Sequence, residues 1–101
     1  KITFYCQHVD TYGNIITNLD KQLFEKVANG RKSFSFYNSA LGCIEKCSLL
    51  DTYTYTTSSN YIFIFSQSGF LEIARKYTPL AYFLNLDNKK FKDWQFIITF
   101  L

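Results

Sequence analysis

The sequence predicts a mainly β fold, a small antiparallel β-barrel or sandwich of six to seven short strands with two short helices. Short segments with period-2 alternation of apolar and polar residues recur along the chain, separated by glycine and small polar residues. Apolar residues make up 48% of the 101 residues and aromatic residues 20%, enough for a core of large side chains. We expect one domain at this length.

The strands follow in order from the alternation. Residues 2–9 alternate and end near Asp10, and a tight turn at residues 12–14 leads into extended structure at residues 15–17. Later segments have the same pattern or are rich in β-forming residues, which predicts strands at residues 33–37, 51–57, 61–65, 70–74 and 94–101. Because small polar residues occupy 58–60, the strands on either side of them are expected to form a hairpin.

Two helical pieces interrupt the strands. The first is predicted from apolar residues at helical spacing, namely Leu19, Leu23, Phe24 and Val27. Either Asn18 or Asp20 can cap its start, and the Asn-Gly pair at residues 29–30 is a stop signal. The second covers residues 80–84, after a Thr-Pro pair that is typical of a helix start.

Charge and hydropathy exclude two classes of partner. The 11 Lys and Arg exceed the 8 Asp and Glu by three, and they are scattered, so nucleic-acid binding is not expected. The basic stretch at residues 89–92 lies between Asp87 and Asp93, which is typical of a solvated turn. The longest apolar runs, at residues 61–65 and 96–101, are far shorter than the ~20 residues that span a bilayer. No targeting signal opens the chain, so we expect a cytoplasmic location.

Cysteine and histidine provide little catalytic chemistry. Three cysteines, Cys6, Cys43 and Cys47, favour reduced thiols over a disulfide framework. With His8 they could in principle bind zinc, but their spacings differ from those of common zinc sites, and we expect no metal. No nucleophile motif or phosphate loop accompanies this single histidine, so we expect no catalytic residue in this chain.

Two segments resemble the signatures of a known family. Residues 9–18 read VDTYGNIITN and residues 66–74 read SQSGFLEIA. Together, in this order and at this interval, they resemble the C-terminal domain of the S-adenosylmethionine (SAM) hydroxide adenosyltransferases, the family that includes the fluorinases and chlorinases. The resemblance implies that residues 1–101 form a C-terminal β-barrel domain and that an N-terminal catalytic domain lies outside this chain. The sequence contains no methionine, so we expect an upstream segment.

The resemblance implies an enzyme that hydrolyses SAM to adenosine and methionine. Water or hydroxide would attack the 5′ carbon, with an Asp, Arg and His group of the N-terminal domain activating it. SAM would be the substrate, and no prosthetic group is expected. The family assembles as trimers with the ligand between subunits. The expected partners are therefore SAM or adenosine, the N-terminal domain of the same or a neighbouring subunit, and two further copies in a homotrimer.

The resemblance also implies roles for eight residues, each matched to one part of the ligand. Asp10 would take the methionine ammonium through a charge-assisted hydrogen bond. An amide such as that of Asn14 can read an adenine edge, since it both donates and accepts. The remaining positions are Tyr12 and Tyr53 around the nucleoside, Gln67 and Ser68 at the methionine carboxylate, and Arg75 and Lys76 at the adenine. Tyr55 is an alternative to Tyr53, because the loop length leaves the register open.

Each of these residues also has a purely structural interpretation. Asp10 and Asn14 could be turn formers, and the tyrosines at 53 or 55 could lie on a solvated strand face. Glu72 reads as a charge on the exposed face of a strand. This sequence also departs from the family, because Ser66 and Gln67 replace the usual Asn-Ser. An alternative therefore stays open: a noncatalytic β-barrel oligomerisation module that has lost the ligand.

Overall fold

The protein was analysed as a computed structural model that describes residues 1–50, 60–65, 67–76 and 94–101. These residues form seven strands and one helix. In chain order the elements are β1 (Ile2–Val9), β2 (Ile15–Asp20), α1 (Lys21–Ala28), β3 (Phe34–Asn38), β4 (Gly42–Cys47), β5 (Tyr61–Phe65), β6 (Phe70–Arg75) and β7 (Gln95–Phe100).

The strands form one antiparallel sheet in the order β4-β3-β7-β1-β2-β6-β5. The segment after β4 returns to the other edge of this sheet. There Leu49 makes a parallel bridge with Phe63 of β5, and the amide of Leu50 donates to the Phe63 carbonyl at 2.9 Å. The sheet is thereby nearly closed into a barrel. The predicted class, a small antiparallel barrel rich in β-structure, is confirmed.

The predicted strands that fall in the described residues lie where the alternation placed them, and the structure adds one strand. β4 was not predicted, because its sequence GCIEKC carries a glycine and two charges and lacks a clear apolar face. Its pairing with β3 across the turn after Asn38 makes it a strand. The predicted strand at residues 51–57, the hairpin it would form and the second helix at 80–84 lie outside the described residues.

The helix begins two residues later than its apolar spacing indicated. Leu19 belongs to β2, and Asp20 is the N-cap, with its side chain accepting from the Leu23 amide at 2.7 Å. Asn29 closes the helix in the left-handed conformation. Within the described residues, no helix combines the length and the hydrophobicity that crossing a membrane requires.

A cluster of phenylalanines fills the barrel. Phe34, Phe36, Phe63 and Phe96 are at most 1% exposed. Their rings meet edge to face or stacked, with centroids 5.1 to 5.5 Å apart. Such pairs stabilise a core by about 0.5–1.5 kcal/mol each beyond the area they bury. Since the cluster joins β3, β5 and β7, it holds distant parts of the sheet around one centre.

A β-bulge in β1 decides which side chains leave this core. Cys6 pairs with Thr17 and His8 pairs with Ile16, so two steps along β1 match one step along β2. Gln7 is the extra residue. Gln7 and His8 therefore both point outward, while Cys6 on one side and Val9 on the other pack on the core. Without the bulge, strict alternation would turn His8 inward.

Candidate functional site

An open cavity of about 620 Å³ lies on the outer face of β1, β2 and β6. Its volume falls within the ~300–1,000 Å³ range of small-molecule sites. Its apolar side chains come from β2 and β6, and its polar side chains come from β1, β6 and the turns that follow β1 and precede β6. The described lining residues are Gln7, His8, Asp10, Ile16, Gln67, Ser68, Phe70 and Glu72.

The first sequence motif forms a tight turn at one side of the cavity. One carboxylate oxygen of Asp10, Oδ1, accepts the amides of Tyr12 at 2.9 Å and Asn14 at 2.8 Å. The Asp10 carbonyl accepts the amide of Gly13, whose φ of 81° favours glycine. In the described part of the chain no hydrogen bond reaches the second oxygen, Oδ2. Asp10 is therefore a turn former, as its structural interpretation held, and it also lines the cavity.

The second motif contributes the opposite wall. Gln67 and Ser68 lie in the turn before β6 and line the same cavity as Asp10. Gly69 follows with a φ of 84°, and its carbonyl accepts the Lys21 amide at 3.1 Å, which ties this turn to the start of α1. Asp10 of the first motif and Gln67 of the second are more than fifty residues apart in sequence, and pairing of β2 with β6 brings the two motifs together.

Four other predicted residues do not line this cavity. Tyr12 is 77% exposed at the tip of its turn, and Asn14 is partly buried beside it. Further along β6, the Arg75 guanidinium lies 5.8 Å from the Tyr61 ring centroid, a cation–π contact. Lys76 is buried, and its amide donates to the Asn60 carbonyl at 2.8 Å. Tyr53 and its alternative Tyr55 lie outside the described residues.

The cavity also contains residues that the sequence did not single out as ligands. Gln7 and His8 enter it through the bulge, while Ile16 and Phe70 supply apolar surface. Glu72 was interpreted as a charge on an exposed strand face. It does lie on the outer face, but it is only partly exposed because that face forms the cavity wall. Gln7 and His8 could not have been found in advance, because a bulge has no reliable sequence signal here, whereas Ile16, Phe70 and Glu72 lie inside the two motifs.

A family model described as the SAM hydroxide adenosyltransferase C-terminal domain matches residues 5–90. The match covers well over half of the chain and contains both motifs that meet at the cavity. The chain belongs to this family. The matched range contains β2 to β6 and most of β1, whereas β7 lies beyond it.

Comparisons with individual proteins identify a solved structure with the same fold and show how much of that longer chain this domain covers. No curated protein matches the chain. Among solved structures, the chain is similar to an uncharacterized conserved protein from Thermotoga maritima, with a TM-score of 0.75 and 20% sequence identity. The similarity covers 98% of this chain and 36% of that one. At this identity the likeness shows the fold alone. This SAM hydroxide adenosyltransferase C-terminal domain therefore spans little more than a third of the length of that solved chain.

The Thr-Asn pair that ends the first motif has structural roles in this family member. The Thr17 hydroxyl donates to the Leu71 carbonyl at 2.8 Å and accepts the Leu19 amide at 3.2 Å, where the β2–β6 register is irregular. The side-chain oxygen of Asn18 accepts the Tyr5 amide at 2.8 Å. Both side chains satisfy backbone groups that an irregular ladder leaves unpaired.

The three thiols of the domain occupy different environments. Cys43 is exposed, whereas Cys6 and Cys47 belong to the core cluster. Burial raises the pKa of Cys6 from 9.0 to about 11. Burial, and secondarily the nearby Cys43, raises that of Cys47 to about 11. Within the described ranges no three His, Cys, Asp or Glu side chains form a group that could hold a metal ion.

Proposed function

We propose that this chain is the SAM-binding C-terminal domain of an enzyme that hydrolyses SAM to adenosine and methionine by attack of water or hydroxide on the 5′ carbon. One observation carries the proposal: the two family motifs, distant in sequence, meet at one cavity of ligand-binding size. The residues that activate water would come from the N-terminal domain. Three free thiols are in keeping with a cytoplasmic location.

The methionine part of SAM fits the polar groups of the cavity. Asp10 lines the cavity while its Oδ1 holds the turn, and among the described residues no hydrogen bond reaches its Oδ2. A carboxylate there can accept a charge-assisted hydrogen bond from the ligand ammonium, which is worth about 1.5–3 kcal/mol. Gln67 and Ser68 on the facing wall can donate hydrogen bonds to the ligand carboxylate.

The nucleoside part would extend beyond the cavity. Tyr12 lies at the tip of the Asp10 turn, where its exposed ring offers a stacking surface, and Asn14 closes that turn against Asp10. We propose that Tyr53 completes this surface and that Arg75 and Lys76 contribute at the adenine. We propose that the N-terminal domain of the same or a neighbouring subunit in a homotrimer covers the exposed Tyr12 ring.

A second candidate is a noncatalytic barrel that serves in assembly. One observation favours it, namely that Asp10 Oδ1 is already occupied by two backbone amides. Arg75 is likewise engaged with the Tyr61 ring and does not line the cavity. In this candidate the motif would persist because its turn stabilises the barrel, and no ligand would bind.

The Asp10→Asn substitution separates the two candidates. Asparagine can also accept the amides of Tyr12 and Asn14, so the turn is retained while the charge is removed. Calorimetry on the full-length protein should show that SAM affinity falls about tenfold or more, the factor that corresponds to ~1.4 kcal/mol. The free energy of unfolding should change by less than about 0.5 kcal/mol.

Asp20→Asn is the matched control. It removes the same charge from an exposed helix N-cap at which asparagine caps equally well. SAM affinity should be unchanged in this variant. Absence of SAM and adenosine binding by the unmodified full-length protein would reject the enzymatic proposal and favour the assembly module.

A further inference from the structure

The cavity carries two carboxylates, although the chain as a whole is basic. Asp10 and Glu72 both line it, and no Lys or Arg is among its described lining residues. The chain has a formal net charge of +3. A concave site with low-dielectric walls and one sign of charge concentrates ions of the opposite sign. The cavity therefore favours a ligand with positive charge.

The two carboxylates approach the cavity from different strands. His8, Ile16 and Glu72 form one row across β1, β2 and β6, because His8 pairs with Ile16 and Ile16 pairs with Glu72. Asp10 lies just beyond the end of β1, whereas Glu72 lies on β6 across the Ile16 side chain. A ligand lying over Ile16 thus has one carboxylate on either side.

Two separate carboxylates match a ligand with two separate cationic centres. SAM has an ammonium and a sulfonium, joined by a short carbon chain. On the basis of the proposed function, Asp10 takes the ammonium. We infer that Glu72 faces the sulfonium and makes the site selective for this cation over the corresponding neutral thioether. Ile16 and Phe70 supply the apolar surface on which the intervening carbon chain and the weakly hydrated sulfonium can pack.

The physical reason for selectivity is electrostatic. S-adenosylhomocysteine has the same ammonium, carboxylate, ribose and adenine as SAM, but its sulfur is uncharged. A partly buried carboxylate near that sulfur attracts the sulfonium through a less screened field than bulk water allows, and it gains little from the thioether. Glu72 is thereby a specificity-determining residue of the proposed site, separate from the groups that hold the amino-acid end.

Glu72→Gln tests this inference, because it keeps the size of the side chain and removes its charge. Calorimetry of the full-length protein with SAM and with S-adenosylhomocysteine, at constant pH and salt, gives the ratio of the two Kd values. The substitution should weaken SAM binding about tenfold, which corresponds to ~1.4 kcal/mol, and leave S-adenosylhomocysteine binding within about twofold. Glu72→Asp retains the charge and should keep most of the selectivity.

Glu45→Gln is the matched control. It removes an exposed carboxylate from β4, which four strands separate from β6 in the sheet order, and should change neither affinity. If Glu72→Gln weakened the binding of both ligands equally, the inference would be overturned, and Glu72 would have only a structural role. Retention of the unmodified ratio in a folded Glu72→Gln variant would overturn it as well. Failure of the unmodified protein to bind either ligand would instead reject the proposed function.

Discussion

Two neighbouring rows of side chains on the same strands point to opposite faces of the sheet. The inner row is Val9, Ile15, Ile73 and Phe63, all packed in the core. The outer row is one residue away on each strand and consists of His8, Ile16, Glu72 and Ile64. Three members of the outer row line the cavity and two can carry charge.

The difference shows how one sheet serves stability and binding at once. Because side chains alternate between faces, adjacent residues on a strand contribute to different functions. The bulge at Gln7 sets the phase of this alternation in β1, so His8 and Asp10 reach the cavity rather than the core. Substitutions of adjacent residues should therefore have separable effects on folding and on ligand binding.

The largest effect is expected from the inner row at Phe63. This ring is 1% exposed and meets Phe34 and Phe36 at centroid distances of 5.3 and 5.1 Å. Phe63→Ala should lower the free energy of unfolding by about 3–5 kcal/mol, since it leaves a cavity in the core. Urea denaturation measures the loss, and Phe63→Leu should cost about 1–2 kcal/mol. A loss below about 1 kcal/mol for the alanine variant would mean that the core is not packed as described.

The sharpest test of the two rows is the pair Ile15→Ala and Ile16→Ala. Ile15 is fully buried in the core, so its truncation should cost about 2–5 kcal/mol. Ile16 is also buried, at 6% exposed, but it borders an open cavity outside the core cluster, so its truncation should cost about 2 kcal/mol, the low end of that range. In binding measurements, only Ile16→Ala should lower the affinity for SAM. The comparison fails if both variants lose the same stability or if Ile15→Ala alone alters binding.

A smaller effect is expected at Thr17, where the motif supports the backbone. Thr17→Val keeps the shape of the side chain and removes the hydroxyl that links the Leu71 carbonyl and the Leu19 amide. The unpaired groups should reduce the free energy of unfolding by about 1–3 kcal/mol. Thr17→Ser retains the hydroxyl and should recover part of this loss. A valine variant as stable as the unmodified protein would exclude the structural role assigned to Thr17.

The smallest effect concerns the buried thiols at alkaline pH. The pKa values of Cys6 and Cys47 rise from 9.0 to about 11 on folding, so the folded state holds its thiol protons more tightly. The resulting stability is fully present below pH 9 and is lost as pH rises from 9 toward 11. At pH 10 the free energy of unfolding should be lower by on the order of 1 kcal/mol for each thiol.

Denaturation at pH 8 and pH 10 measures this alkaline loss. A Cys6→Ala, Cys47→Ala double variant is the comparison, because it lacks both thiol protons. Its stability should decline less between the two pH values than that of the unmodified protein. Parallel declines would show that the two thiols are not buried as the structure places them.

Much of the barrel could be predicted from local pattern. Residues 2–9, 61–65 and 70–74 alternate or are rich in β-formers, and the strands lie there. β4 could not be predicted, because its stability comes from pairing with β3 and not from its own apolar content. Leu19 was assigned to the helix because of its spacing. It belongs to β2, and the helix begins only after the N-cap at Asp20.

Residues of the candidate site could be predicted only where they lie inside the two motifs. Asp10, Gln67 and Ser68 were predicted and line the cavity. Tyr12 and Asn14 belong to the Asp10 turn but do not line the cavity. His8 could not be placed, because the bulge that turns it outward depends on how β1 and β2 pair.

Local periodicity was enough to predict the fold class, and the residue types of the two motifs were enough to predict the family and the motif turns. Which side chains share the cavity, and that Glu72 lies across Ile16 from Asp10, follows from the tertiary structure alone. Strand register sets those neighbours, and register is a property of pairs of segments distant in the chain.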